Sequence, residues 1–158
     1  MNKKLLITGV LIIIAVVVFA FLPKPDNSLT PAASNLNGEK GIQFFEPNLA
    51  KALQEAKKQN KLIFVDAYTT WCGPCRMLKQ NTFTDKAVGD FFNKNFINIA
   101  LDMERGDGLA FAAKYQIVAY PTLLIIDADQ KSTTITEGYM EPAQLLEFGK
   151  AALAQKRK

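Results

Sequence analysis

The stretch KLIFVDAYTTWCGPCRML, residues 61–78, passes from a strand pattern directly into a helix start. Residues 61–68 are almost continuously apolar, as in a central strand covered on both faces. Thr69, Thr70 and Trp71 then lead to Cys72-Gly73-Pro74-Cys75, with a helix expected through Met77 and Leu78. A Cys-x-x-Cys at a helix start sets its first sulfur beside unpaired backbone N–H groups and the positive end of the helix dipole. Both stabilise a thiolate, so Cys72 is the expected nucleophile. Two intervening residues bring Cys75 within reach on the first turn, so a disulfide can open and close with little movement. The ring is too short to restrict the unfolded chain much, which favours a redox switch over a structural staple. A plain local crosslink and half of a zinc site are the alternatives. With two cysteines and no histidine in the chain, zinc would need carboxylates or a second chain to complete its shell.

Asp66 is the anomaly within that strand. Burial disfavours a charged carboxylate, raises its pKa and fits it to exchange protons near neutrality. Proton transfer to and from Cys75 is the expected role, and an acid capping a helix or exposed at a strand end is the alternative.

Working outward, residues 42–45 read as a short strand, and Pro47 as the first-turn proline of a helix with Leu49, Ala52, Leu53 and Ala56 on one face. A helix from Asp85 to about Asn93 has Thr84 as its expected N-cap and leads into a strand over 96–102. Another helix begins at Asp107 or Gly108 and ends near Tyr115. Strands over 122–127 and 132–137 are joined by the turn Ala128-Asp129-Gln130, and an amphipathic helix over 141–154 closes the order. Helices and strands alternating in this way describe an α/β domain.

Three domains follow: residues 1–22, 23–40 and 41–158. From Leu5 to Leu22 run 18 consecutive uncharged residues. As a helix they would reach about 27 Å, enough to cross a bilayer. Lys3 and Lys4 favour a cytoplasmic N-terminus, and the bulky end of the run, Phe19-Ala20-Phe21-Leu22-Pro23, lacks a small-x-small cleavage site. An uncleaved signal anchor is therefore expected, with the domain on the periplasmic or extracytoplasmic side of the cytoplasmic membrane. A cleaved signal is the rival. Residues 23–40 hold three of the seven prolines among Asn, Ser and Gly, the composition of a flexible linker that could extend about 55 Å.

Composition narrows the chemistry further. Of 158 residues, 49% are hydrophobic and 22% charged, and the formal net charge is +4. Much of that excess sits at the two ends, in Lys3, Lys4, Lys156, Arg157 and Lys158, so no basic stripe for nucleic acid is written on the folded body. The absence of histidine excludes Ser-His and Cys-His nucleophile pairs and imidazole metal sites.

Three separated segments resemble the thioredoxin superfamily, in order and over nearly all of residues 42–154. LIFVDAYTTWCGPCRML is similar to its active-site strand, loop and helix, with Asp66 at the position of the buried acid. YQIVAYPTLLIID is similar to the segment carrying the cis-proline, and TEGYMEPAQL to the last strand and helix. The resemblance implies a thioredoxin fold, a central mixed sheet flanked by helices. It implies a Cys72–Cys75 redox disulfide in an active-site loop with Trp71, Gly73 and Pro74. It also implies a cis bond before Pro121 that exposes the backbone of Tyr120 to an extended substrate, and Gly138 in the substrate groove. Trp71 and Tyr120 could form an apolar rim or pack in the core. One departure from the family pattern is that the position of the lysine neighbouring the buried acid in thioredoxin itself falls near Asn98, so coupling of that lysine to Asp66 is not assumed.

Within the superfamily, the anchor, the Thr-x-Trp-Cys start and the Phe83-Thr84-Asp85 connection resemble exported members such as the C-terminal domain of the DsbD reductant conveyor. The expected function is a thiol-disulfide oxidoreductase that reduces disulfides of exported proteins. A membrane electron donor of the DsbD type is the implied partner, with no cofactor or metal and a monomeric chain. A disulfide donor, a Cu(I)-binding protein using the two soft sulfurs, and a non-catalytic module of the same fold are the alternatives.

Overall fold

The structure is a computed structural model that describes residues 41–156. The expected anchor, the linker and the last two residues lie outside the described residues. Among the described residues no helix is long and apolar enough to cross a membrane.

The elements follow in the order α1 (Leu49–Gln59), β1 (Leu62–Tyr68), α2 (Gly73–Met77) with a π-helical turn (Leu78–Thr82), α3 (Lys86–Asn95), β2 (Phe96–Asp102), α4 (Asp107–Tyr115), β3 (Thr122–Ile126), β4 (Thr133–Glu137) and α5 (Pro142–Lys156). They build a four-stranded mixed sheet of order β2-β1-β3-β4, in which β1 runs parallel to β2 and antiparallel to β3, and β4 is antiparallel to β3.

Alternation along β1 divides the core. Ile63, Val65 and Ala67 turn to one face, where Ala52 and Ala56 of α1 and Phe111 of α4 cover them. Leu62 and Phe64 turn to the other, against Leu78, Val88 and Phe92 from the π-turn and α3, and Leu145 and Ala152 from α5. Phe64 meets Phe92 edge-on with ring centroids 4.7 Å apart. Each such fully buried aromatic contributes about 2–3 kcal/mol of transfer free energy. The near-continuous apolar run of β1 therefore reflects helices on both sides of it.

Local chemistry moves three expected boundaries. The strand over 42–45 reduces to one parallel bridge between Phe45 and Ile99. Its amides are drawn to different partners: Ile42 donates to the Phe83 carbonyl (2.7 Å) and Gln43 to Asn93 Oδ1 (2.8 Å), so no continuous ladder forms. Helix α1 starts at Leu49, not at Pro47. Asn48 is its N-cap, accepting from the Lys51 amide at 3.0 Å, and Asp107 Oδ2 accepts from the Leu49 amide at 2.8 Å. Thr84 does not cap α3. Its hydroxyl donates back to the Gln80 carbonyl (2.7 Å), while Asp85 caps the helix by accepting from the Val88 amide at 3.0 Å.

Candidate active site

Strand register collects the relevant loops at one end of the sheet. Ala67 faces Thr122 across β1 and β3, and Thr122 faces Glu137 across β3 and β4. Pro121 and Gly138 therefore lie at the end of the sheet where β1 gives way to the cysteine loop. Two hydrogen bonds fix that exit: the Met103 amide donates to the Tyr68 carbonyl (2.8 Å), and the Cys72 amide to the Thr69 carbonyl (3.3 Å).

Cys72 is the N-cap of α2. Its Sγ accepts from the Cys75 amide at 3.1 Å, the position a Ser or Asp oxygen takes at an ordinary helix start. Pro74 occupies the first turn, where its missing N–H costs no intrahelical bond. Cys72 and Cys75 are joined as a disulfide with a Cα–Cα separation of 5.3 Å. Both residues are nearly buried, 3% and 2% exposed, whereas Pro74 is exposed and Gly73 half-buried.

Trp71 stands open to solvent beside them, 64% exposed. Its ring meets Tyr120 edge-on with centroids 5.9 Å apart, and its indole N–H donates to Glu104 Oε1 at 3.0 Å. The structure thus brings Trp71 and Tyr120 together. Glu104 enters unannounced from the turn after β2, where nothing in the sequence marks it as a tryptophan partner.

The Tyr120–Pro121 peptide bond is cis. The Gly138 amide donates to the Pro121 carbonyl at 2.8 Å, tying the cis-proline segment to the end of β4. Gly138 has φ +91°, and open space surrounds the position a Cβ would take. A residue with a side chain would be strained there and would project into that space.

Asp66 is fully buried in β1, and neither carboxylate oxygen has a hydrogen-bond partner among the described residues. Burial pushes its pKa up to about 7, and the nearby Lys79 ammonium offsets part of that rise. Lys79 belongs to the π-turn, four residues beyond Cys75, and its Nζ lies 3.4 Å from the centroid of the Tyr68 ring. Asn98, which stands near the position of thioredoxin's lysine, is the register partner of Phe64, not of Asp66. Its amide is committed to the Gln43 carbonyl (3.2 Å) and Asn93 Oδ1 (3.1 Å). The cation that does face Asp66 escaped the sequence reading.

A family model described as thioredoxin-like matches residues 45–128, more than half of the chain. The thiol:disulfide interchange protein DsbD of Pseudoalteromonas atlantica is 30% identical over 117 residues, covering 72% of this chain and 19% of that protein. The chain thus spans about a fifth of this relative. Thioredoxin of Mycoplasma genitalium is 28% identical over 99 residues, 62% of this chain and 89% of the relative. Among solved structures, a candidate disulphide-isomerase from Bacteroides thetaiotaomicron is 41% identical, with a TM-score of 0.62 over 70% of this chain and 93% of that one. With the cysteine pair at the helix start and the mixed sheet that presents it, these matches make the chain a member of the thioredoxin-like family.

Proposed function

We propose that this protein is a membrane-tethered reductase of disulfides in exported proteins, with Cys72 as nucleophile, Cys75 as resolving thiol and Asp66 as proton carrier. The observation that carries the reading is the capping geometry of Cys72. The Cys75 amide points at its sulfur, so the negative charge of a Cys72 thiolate meets a donor already in place. In the reduced protein the Cys72 thiolate attacks one sulfur of a substrate disulfide, forming a mixed disulfide and expelling the other substrate sulfur as thiolate. Cys75 then loses its proton and attacks Cys72 Sγ, which closes the intramolecular disulfide and frees the second substrate sulfur. Two electrons pass to the substrate, and the expelled thiolates take up protons. A carboxyl that titrates near 7 is suited to receive the Cys75 proton and to return it when the pair is next reduced.

The reductase direction is supported by the Gly73-Pro74 dipeptide, similar to that of reducing thioredoxins, and by the buried acid, whose negative charge disfavours an over-stabilised thiolate. The anchor expected over residues 5–22 would hold the domain outside the cytoplasmic membrane, where a donor of the DsbD type would have to recharge it. Trp71, Tyr120 and the Pro121–Gly138 segment form the proposed seat for an extended substrate strand. The deciding experiment is the equilibrium potential of the Cys72–Cys75 couple together with its redox state in growing cells. A reducing potential with the pair held as dithiol supports the reading. A strongly oxidising potential with the pair held as disulfide reverses the direction and makes the protein a disulfide donor.

A further inference from the structure

The acid of β1 is a charged-group problem that the rest of the sheet does not solve. By strand alternation Asp66 turns to the same face as Phe64, into the cluster formed with the π-turn, α3 and α5. Its register partners are Ala100 on β2 and Leu123 on β3, neither of which carries a polar side-chain atom. From α3 and α5 that cluster receives Val88, Phe92, Leu145 and Ala152. Among the described residues neither carboxylate oxygen has a hydrogen-bond partner. A charge that acts on this group from the protein does so through space.

The π-turn supplies such a control. Lys79 and Ala100 line the same open cleft of about 340 Å³, together with Ile42, Phe44, Phe83 and Thr84. Ala100 is the register partner of Asp66 on β2, so the cleft that Lys79 borders reaches the strand beside the acid. Tyr68, two residues along β1 and on the same face, holds the Lys79 ammonium over its ring at 3.4 Å. The aromatic contact holds an exposed cation on the same face of β1 as the buried carboxyl without pairing the two directly. Other charges reach this corner through Tyr68: its phenol is raised first by burial, then by Asp102 and Asp66, and is lowered by Arg105.

We propose that Lys79 is the positioning residue for Asp66, its ammonium held on Tyr68 at the cleft beside Ala100 so that its positive charge acts on the buried carboxyl. Without the cation, burial acts unopposed and the carboxyl stays protonated further into the alkaline range. Since an exposed cation is screened by salt, the acid's titration also depends on ionic strength. The consequence for thiol exchange rests on the proton role assigned to Asp66 above. The charge relationship itself does not.

The test uses the full-length protein in its disulfide form with 13C-labelled aspartate, following the Asp66 carboxyl resonance against pH and assigning it by its loss in Asp66→Asn. Lys79→Met should raise the midpoint by about one unit, and Lys79→Arg should leave it within a few tenths. In the wild-type protein, added salt should move the midpoint in the same direction as Lys79→Met, a measurement that needs no variant to fold. An unmoved midpoint in Lys79→Met, an equal shift in Lys79→Arg, or no response to salt would overturn the assignment. The pH profile of disulfide reduction is then compared between Lys79→Met and the Asp66→Asn/Lys79→Met double variant. A profile that shifts only when Asp66 is present supports Lys79 acting through the acid. A carboxyl midpoint that moves while the profile stays fixed still supports Lys79 as Asp66's partner, and it is the proton role of Asp66 that fails.

Discussion

The Cys75 amide donates to Cys72 Sγ at 3.1 Å, so the first cysteine of the pair is held as a helix cap by the backbone of the second. This makes the two cysteines unequal despite their similar burial: one sulfur has a donor aimed at its charge, and the other begins the helical turn that supplies it.

That asymmetry predicts unequal serine variants. Cys75→Ser leaves Cys72 free to attack but removes the resolving thiol, so mixed disulfides with partner proteins should accumulate on non-reducing gels. Cys72→Ser should trap none or far fewer. Equal trapping by both variants would show that the cap does not select the nucleophile.

A second prediction concerns topology. If residues 5–22 form an uncleaved anchor, membrane fractions should retain a chain of full-length mass, and protease added from outside should release the domain. A soluble chain that begins near residue 20 would instead mark cleavage.

Two glycines separate steric from conformational cost. A Cβ at Gly108 would stand 1.9 Å from the Asp102 carbonyl oxygen, a backbone atom that cannot swing away, because the first turn of α4 lies against the end of β2. Gly108→Ala should destabilise the domain by about 3 kcal/mol in spite of alanine's better helix propensity. Gly138→Ala meets open space but a positive φ, and should cost about 1 kcal/mol. Urea denaturation of both variants checks the ordering. A smaller loss at Gly108 than at Gly138 would contradict the close approach.

The sheet and the cysteine site were legible because their signals are local and redundant. The apolar run of 61–68 allowed little but a doubly covered strand, and Cys72 to Cys75 could reach each other only on a first helical turn. Expectations failed where neighbouring residues offered equivalent chemistry. Thr84 and Asp85 are both good caps, and the choice fell to Asp85 because the Thr84 hydroxyl had a carbonyl available one turn back. Residues 42–45 have a strand's composition, but Asn93 intercepts one of their amides, a competition between segments 50 residues apart that no local pattern encodes. Lys79 escaped for a related reason. Its partner is buried on a strand, and only the path of the π-turn decides which side chain reaches over Tyr68.

The last prediction is the pH dependence of stability, which Asp66 should dominate in the oxidised protein. The unfolded carboxyl has the ordinary value of 3.8 and the folded one about 7, the direction that burial imposes. Below the unfolded value both states hold the proton and the acid adds no pH-dependent cost. Between the two values the unfolded state ionises while the folded state does not, so stability falls as pH rises. Above the folded value both are ionised and the loss is complete. From about pH 5 to about pH 8, past the range in which ordinary carboxylates titrate, the wild-type disulfide form should lose about 3 kcal/mol. Asp66→Asn carries no titrating group at that position, so its stability should stay nearly level across the same interval, and its advantage over wild type should grow with pH. Denaturant unfolding of both proteins at the two ends of the interval measures the difference directly. Parallel pH curves for wild type and Asp66→Asn would mean that the carboxyl is solvated or paired in solution, and that the buried, partnerless Asp66 is not the state of the folded protein.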